Sequence, residues 1–319
     1  MNALSWLLPG IAVHGALWQL FEAKLQDWAE LGLAWLTGKP ANQVTQYDAQ
    51  GIPRQLYRRH GLQYNPLFVA LQARNGFARL GNPRKKAEFF KLTDWLLSYA
   101  EESDGKLLFP YRFDIPELGL RAPWYSCLAQ ATAMECFAQR STLPGEEAWQ
   151  EHCRKVLRSL EPGQGLAQTE AGEELWFPEY PGTAKNHVLN GMASVLLDLD
   201  STFKMTSIEQ SQNLFQRGFA TYIKLLPGFD YRGFSYYSLD KTVTSRGYHQ
   251  IHIRQLRKLN ALRPHPVLQK YLRRWSRHDL IPVALQLFYN PRPKRIAAFL
   301  ASLGVILGVA WLLSCAVWR

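Results

Sequence analysis

Three loop segments and one helix start of this 319-residue chain concentrate tyrosines, tryptophans, histidines and a carboxylate. Such a set suits a cleft that binds carbohydrate, because aromatic rings cover sugar faces and polar or cationic groups hold a carboxylate. Tyrosine also transfers protons where nearby cations lower its pKa. The alternative is that these tyrosines fill gaps and cap helix ends. The segments are Trp124–Ser126, Trp176–Pro181, Phe234–Leu239 and Tyr248–His252.

Metal and nucleotide chemistry find little support in the sequence. His249 and His252 have the spacing of a metal-binding pair, but no third ligand follows at a matching distance. The four cysteines form no C-x-x-C pair, and the chain has no glycine-rich nucleotide loop or catalytic serine elbow. We therefore predict no metal and no other cofactor.

The elements that carry these loops are predicted to be helices, because hydrophobic residues recur with a period of 3.6. Helix pairs joined by loops predict a mainly α fold, an α/α-barrel or toroid of helical hairpins. Only Lys106–Asp114 and Phe234–Leu239 resemble strands, which predicts short β-hairpin insertions. The predicted helices are Pro66–Arg79, Lys85–Tyr99, Leu128–Phe137, Glu146–Leu160, Val188–Leu199, Leu214–Leu226, His249–Asn260 and His265–Arg277.

The net charge of +11 is confined to one part of the chain. Arg246 to Arg295 contain twelve basic residues and one acid, Asp279, and the rest of the chain is balanced. With 47% hydrophobic residues, the composition excludes a disordered chain. A confined excess indicates an anionic polymer and acidic lipid as partners and does not support nucleic-acid binding.

The C-terminal region predicts a membrane anchor. Ile296–Trp318 has no charge over 23 positions, and a helix of that length extends about 34 Å, enough to span a bilayer. A buried core helix is the alternative. Three basic residues in Arg292–Arg295 precede the span and only Arg319 follows it, which places the preceding domain on the cytoplasmic side. Gly304 and Gly308 could pack two such helices together, so a homodimer stays open.

The N-terminal segment is also apolar. Leu4–Phe21 has no basic residues before it, which argues against a cleaved secretory signal. A second membrane span and an amphipathic helix both remain open. The domain prediction is an apolar segment over residues 1–50, a catalytic domain over 51–290 and a membrane helix over 296–318.

Seven short motifs occur between residues 51 and 256. They are Gly51-Ile52-Pro53, Tyr64-Asn65-Pro66-Leu67, W-Y-S-x-x-A-Q at Trp124–Gln130, Glu179-Tyr180-Pro181, Val188-Leu189-Asn190-Gly191, Tyr237-Ser238-Leu239 and Tyr248-His249-x-Ile251-His252-x-x-Gln255-Leu256. In order and approximate spacing they resemble the C-terminal domain of D-glucuronyl C5-epimerases, which convert glucuronic to iduronic acid within heparan-type chains. The resemblance covers roughly residues 51–278, and together with the uncharged C-terminal run it predicts a membrane-anchored, bacterial member of that family.

The resemblance implies an α/α-barrel isomerase that inverts C5 of a hexuronate inside a uronic-acid-containing polysaccharide. It places the catalytic tyrosine pair on Tyr237 and Tyr248, and places Glu179 where it could exchange protons or orient a tyrosine. The residues expected to bind substrate are Tyr64, Trp124, Tyr180, Asn190, Arg246, His249, His252 and Arg254.

The reaction itself requires two proton carriers. The C5 proton is α to a carboxylate, so its removal leaves a dianionic enediolate unless that carboxylate is neutralised. Inversion then needs one group on each face of the sugar, and two tyrosines across a cleft meet that need.

Three departures from the family pattern keep other functions open. Asp240 stands where the animal enzymes have arginine, so Arg246 or Arg254 must bind the carboxylate or the substrate differs. The interval from Tyr237 to Tyr248 is shorter than in the animal enzymes. Residues 1–50 stand in place of most of the β-rich N-terminal domains of those enzymes. The animal enzymes also work in a secretory lumen, in conflict with the predicted topology. A polysaccharide lyase using the same carbanion and a non-catalytic glycan-binding subunit are the alternatives.

Overall fold

The computed structural model describes residues 9–15, 17, 45–57, 59–163, 165–169, 174–183, 187–279 and 293–317. They belong to two compact units. The first comprises Asn42–Tyr231 and Ser235–Arg273, and the second comprises the described parts of Met1–Ala41, Arg232–Phe234 and Arg274–Arg319.

Helices form at all eight predicted places, which confirms the mainly α fold. Asparagines cap two of them: Asn65 accepts from the amide of Phe68, Asn82 accepts from the amides of Arg84 and Lys85, and a proline follows each cap. The helices are α1 (Pro66–Phe77), α2 (Pro83–Tyr99), α3 (Cys127–Ser141), α4 (Trp149–Ser159), α5 (Leu189–Thr206), α6 (Glu209–Leu225), α7 (Arg246–Leu262) and α8 (Pro266–Asp279).

The helices of the first unit form two layers. α1 packs on α2, α3 on α4, and α5 on α6, as expected of helical hairpins. α3 also contacts α1 and α5, and α5 contacts α7, so the odd-numbered helices form an inner layer. Every residue of α3 is buried.

A buried charged cluster joins three inner helices. Arg74 Nη1 of α1 donates to Glu135 Oε2 of α3 at 2.8 Å and to Asp198 Oδ1 of α5 at 3.0 Å. Thr132 donates to the other oxygen of Asp198 at 2.9 Å. Burial, and then the neighbouring Glu135, raise the pKa of Asp198. This cluster fixes the inner helices relative to one another.

Short antiparallel strands lie in the segments before and between the helices. The β4–β5 hairpin turns at Asp104 and Gly105, whose φ angles of 51° and 70° suit a two-residue turn. The predicted strands are shorter than expected, and the three-stranded sheet β1-β2-β3 was not predicted. The strands are β1 (Thr45–Tyr47), β2 (Pro53–Tyr57), β3 (Gly61–Gln63), β4 (Glu101–Ser103), β5 (Lys106–Leu108), β6 (Gln168–Thr169), β7 (Leu175–Trp176), β8 (Asp230–Tyr231) and β9 (Phe234–Ser235).

The second unit contains helical residues 9–15 and helix α9 (Pro293–Val317). His14 Nε2 lies 2.8 Å from Ser302 Oγ, and its ring meets Phe299 edge-on at 4.6 Å. Within the described residues, no helix is both long and apolar enough to cross a membrane. Trp318 and the side chains at 298, 310 and 313–317 lie outside the described residues, so the anchor stays a prediction.

Candidate active site

The N-termini of α1 and α3 lie together. The hydroxyl of Tyr111 donates to Oδ1 of Asn65, the cap of α1, at 3.2 Å. The ring of Tyr111 stacks on Trp124, just before α3, with centroids 3.9 Å apart and planes 9° from parallel. Trp124 is 8% exposed, and its indole donates to the carbonyl of Phe113 at 2.9 Å. This predicted substrate-binding residue therefore forms part of the wall beneath the site.

The N-termini of α5 and α7 lie at the same end. The amide of Cys127, the first residue of α3, donates to the carbonyl of Pro178 at 3.1 Å. The amide of Leu189, the first residue of α5, donates to the carbonyl of Tyr237 at 3.0 Å. The ring of Tyr237 contacts Tyr248 of α7. Four helix N-termini, each the positive end of a helix dipole, thus face one region, which favours an anion there.

Glu179 lies at the start of α5 in an unusual environment. Its Oε2 is buried and has no hydrogen-bond partner within the part of the chain described. A Cβ on Gly191 would approach that oxygen to 2.8 Å, so only glycine leaves room for it. Burial raises the pKa of Glu179 to about 7, although a hydrogen bond with Tyr180 acts the other way. The carboxyl group can therefore take up or release a proton near neutral pH.

Tyr180 is a neighbour of both Glu179 and Tyr237. Both side chains interact with its hydroxyl, and its ring lies 6.2 Å from that of Trp124. Burial, and then the charge of Glu179, raise the pKa of Tyr180 and of Tyr237. From the sequence, nearby cations are expected to lower a tyrosine pKa here. In the structure both pKa values are raised instead, so Tyr180 and Tyr237 are protonated phenols and not phenolates.

Tyr248 is the most exposed of the site tyrosines. Its ring meets that of Tyr237 at 5.2 Å between centroids and 83° between planes, and the residue is 42% exposed. Burial, and then Glu179, raise the pKa of Tyr248 as well. The structure thus brings together Glu179, Tyr180, Tyr237 and Tyr248, with Asn190 at the start of the same helix as Gly191.

His249 and His252, both predicted to bind substrate, lie in the interior with 0% exposure. Oγ of Ser235 lies 2.9 Å from Nδ1 of His249 and 2.8 Å from Nδ1 of His252. The amide of Ser235 also donates to Nδ1 of His249, so that nitrogen is an acceptor. The hydroxyl of Ser235 has only one proton. It therefore donates that proton to Nδ1 of His249 and accepts a hydrogen bond from Nδ1 of His252. Burial, and then His249, lower the pKa of His252 to about 3, which keeps its ring neutral.

This hydrogen-bonded group fixes the two catalytic candidates. Ser235 ends strand β9 two residues before Tyr237, and His249 follows Tyr248 in α7. The histidines therefore hold α7 against β9 from below. Sequence reasoning missed Ser235 and Gly191. A serine between aromatic residues does not by itself indicate a functional role. A glycine in the first turn of a helix is unusual, so Gly191 could have been identified from the sequence.

Of three further predicted residues, Tyr64 has other partners and the two arginines belong to α7. Tyr64 donates to Asp48 Oδ2 at 2.6 Å and its ring meets Trp95 at 5.1 Å. Arg246 begins α7, two residues before Tyr248, and Arg254 is exposed on the same helix. The structure therefore leaves Arg246 as the predicted cation that is nearest in sequence to the tyrosine pair.

Asp240, the departure from the family arginine, organises a turn. Its Oδ1 accepts from the hydroxyl of Ser238 and, at 2.9 Å, from the amide of Thr242. The carbonyl of Thr242 in turn accepts from the amide of Tyr237 at 2.6 Å. Asp240 thus contributes to the placement of Tyr237. Among the described residues, no three His, Cys, Asp or Glu side chains are grouped as metal ligands.

Comparisons with known proteins agree with this geometry. The family model described as D-glucuronyl C5-epimerase C-terminus matches residues 102–277, more than half of the chain. An uncharacterized protein of Methanocaldococcus jannaschii is 24% identical over 239 residues, which cover 67% of this chain and 77% of that protein. The D-glucuronyl C5-epimerase of Caenorhabditis elegans is 24% identical over 211 residues, 59% of this chain and 34% of that enzyme. The chain thus spans about a third of the worm enzyme's length.

A solved structure supports the fold. The cellobiose 2-epimerase of Bacillus thermoamylovorans superposes with a TM-score of 0.53 at 11% sequence identity. The match covers 84% of this chain and 74% of that chain. At this identity the likeness concerns the fold, which is of the α/α-barrel class.

Proposed function

The chain belongs to the D-glucuronyl C5-epimerase family, and from this premise we propose that it inverts C5 of a hexuronic acid unit within an anionic polysaccharide. The change is of the D-glucuronate to L-iduronate type. The observation that carries the proposal is the series of neighbouring residues Glu179, Tyr180, Tyr237 and Tyr248. It supplies a group that ionises near pH 7 together with two differently exposed phenols.

The site suits the intermediate. Removal of the C5 proton sends negative charge into the carboxylate, which becomes an enediolate. The positive ends of the inner helices and the guanidinium of Arg246 would stabilise that charge. Fixed dipoles of this kind are effective because they need no rearrangement during the reaction.

The first half-reaction moves one proton from carbon to Glu179. The oxygen of Tyr237 accepts the C5 proton while its own hydroxyl proton passes to Tyr180, and the proton of Tyr180 passes to Glu179. No free phenolate forms, which agrees with the raised pKa of both tyrosines. Glu179 begins as a carboxylate and ends as a neutral acid.

The second half-reaction returns a proton to the opposite face. The hydroxyl of Tyr248 protonates C5 and the enediolate becomes a carboxylate again. Because Tyr248 is 42% exposed, it regains its proton from water. Glu179 loses its extra proton along the same series after product leaves, which restores the starting state.

A polymeric, anionic substrate is supported by the charge of α7. Arg254, Arg257 and Lys258 are exposed on α7, one to three turns beyond that tyrosine. Their spacing places them along one side of the helix. A row of cations along one side of a helix suits a repeating anion, such as a uronic-acid polymer, better than a single sugar.

The membrane anchor over 296–318, the cytoplasmic placement and the closed α/α-barrel belong to the same proposal. Their support is the uncharged run, the basic residues before it and the inner layer of helices. Extraction of the full chain from membranes with alkaline carbonate tests the anchor, since an anchored chain stays in the pellet. Protease digestion of sealed vesicles of known orientation tests on which side of the membrane the catalytic domain lies.

The function is tested by incubating the full chain with uronic-acid polymers of heparosan and chondroitin type in D2O. Deuterium at C5 with inverted configuration is the expected result by NMR. An unsaturated product that absorbs in the near ultraviolet would instead identify a lyase. Binding without exchange on any of these polymers would overturn the enzymatic proposal in favour of a glycan-binding subunit.

A further inference from the structure

A cavity of about 530 Å³ lies between α2 and the turn that follows β1. Its volume is within the range of sites that hold small ligands, about 300–1,000 Å³. None of its residues belongs to the series that includes Glu179 and the two catalytic tyrosines. The cavity is lined by Tyr47, Gly51, Arg84, Ala87, Glu88 and Lys91.

The charges around the cavity favour an anion. Glu88 is paired with Lys85, whose Nζ lies 2.5 Å from Oε2. Arg84 and Lys91 have no carboxylate within ion-pair distance among the described residues. Lys91 Nζ donates to the neutral carbonyl of Gly51 at 3.1 Å, which holds it at the rim without cancelling its charge. The cavity therefore carries two uncompensated cations.

An aromatic side chain forms another part of its lining. Tyr47 is 56% exposed, which is unusual for a large ring, and it belongs to the antiparallel pair β1–β2 that fixes its position. An acidic sugar has an apolar ring face and a carboxylate. The exposed ring of Tyr47 can cover the ring face, and the two cations can bind the carboxylate.

Helix α2 leads from the cavity toward the N-terminus of α1. Residues 84, 88, 91 and 95 of α2 share one face of the helix. Trp95 stacks on Tyr99 at 4.4 Å and contacts Tyr64, the residue before the cap of α1. Because α1 and α2 form a hairpin, the C-terminal end of α2 lies at the end where the inner helices begin. From Lys91 to that end the helix rises only about 12 Å.

We propose that this cavity is an outer subsite that binds the carboxylate of a hexuronate unit in the same polysaccharide chain, several units away from the one that reacts. Arg84 and Lys91 bind the carboxylate, and the ring of Tyr47 lies against the sugar face. The inference rests on the proposed function for the identity of the polymer. It adds that the enzyme holds its substrate at a second place and prefers long chains.

The test compares two double variants. Arg84→Gln/Lys91→Gln removes the cations of the subsite, and Arg79→Gln/Lys86→Gln removes one arginine and one lysine that are also exposed near the α1–α2 connection. We expect the first variant to raise KM for long heparosan at least tenfold with unchanged kcat. Its KM for a short oligosaccharide that fills only the reacting site should stay the same. The second variant should match wild type on both substrates.

Equal KM values for long heparosan in wild type and the subsite variant would overturn the proposal, as would an equal loss in the control. Direct titration calorimetry with the same long and short chains separates this inference from the proposed reaction. If wild type shows no C5 exchange but the subsite variant alone loses affinity for long chains, the subsite stands and the reaction does not. Tyr47→Leu should weaken long-chain binding without removing a charge. Unaltered long-chain binding in this variant would show that the ring of Tyr47 is not part of the subsite.

Discussion

The phenol ring of Tyr248 stands nearly perpendicular to that of Tyr237, at 83° and 5.2 Å between centroids. The two residues differ in their surroundings despite this contact. Tyr237 has Tyr180 and the carboxyl group of Glu179 as neighbours, whereas Tyr248 is 42% exposed. In the proposed two-sided proton transfer the two tyrosines therefore have distinct roles, with Glu179 serving the first and water the second.

Replacing either tyrosine should stop inversion. Tyr237→Phe breaks the series to Glu179, and Tyr248→Phe removes the donor on the other face. General acid–base groups contribute about 10²–10⁴-fold, so each variant should lose that factor in the rate of C5 inversion measured by NMR in D2O. Tyr236→Phe is the matched control and should keep its rate. A wild-type rate in either catalytic variant would exclude that tyrosine from the mechanism.

The rate should depend on the ionisation of Glu179. Only the carboxylate can accept the relayed proton, and burial raises its pKa to about 7, so kcat should increase as pH rises through about 7. Glu179→Gln should lose both the activity and this limb of the profile. A profile that is flat between pH 6 and 8 in wild type would contradict this role.

The same shift has a consequence for stability. The folded protein keeps a proton on Glu179 between its usual pKa of 4.5 and about 7, while the unfolded chain has released it. The free energy of unfolding therefore falls as pH rises through this window, by about 3 kcal/mol. Denaturant titrations of Glu179→Gln should show a smaller fall and, at pH 8, a more stable protein than wild type.

Gly191→Ala should separate catalysis from stability. The new Cβ would lie 2.8 Å from Oε2 and 3.3 Å from Cβ of Glu179, so the carboxylate must move. A displacement of this size can reduce a rate by about 10²-fold. Alanine favours the helix by up to about 1 kcal/mol, so Tm should not fall sharply. Gly247→Ala, whose Cβ meets only Ser245 Oγ at 3.8 Å, should leave the rate unchanged.

Ser235→Ala should weaken the support beneath both tyrosines. Two buried imidazoles would lose their shared hydroxyl, a loss of about 1–3 kcal/mol in unfolding free energy. We also expect a lower kcat, because β9 and α7 would no longer be tied together. Ser98→Ala removes an exposed helix hydroxyl and should change neither quantity. Unaltered stability and rate in Ser235→Ala would show that the backbone alone holds the tyrosines.

Much of the fold could be predicted, because periodic apolar residues define a helix without reference to distant parts of the chain. The β1-β2-β3 sheet could not be predicted in this way. Its strands have three to five residues, too few for a period-two pattern to stand out. The segments of the family motifs that carry Glu179, Tyr180, Tyr237 and Tyr248 are neighbours in the structure.

The environment of each side chain required coordinates. A motif cannot distinguish a histidine that faces the sugar from one that faces the core, and His249 and His252 face the core. Nor could spacing place Tyr64 against Trp95 and away from the other tyrosines. The raised tyrosine pKa values depend on burial beside Glu179, which no local pattern records.

The convergence of four helix N-termini separates what the protein does from what keeps it folded. The candidate reacting groups lie before α5, before α7 and in the first turn of α7, while the ion-paired Arg74 cluster and the wholly buried α3 lie within the helical layers. Natural selection can therefore rewrite the loops to suit a new glycan while the scaffold is inherited intact. For the same reason, loops grafted from one relative to another are the practical way to transfer substrate preference between these enzymes.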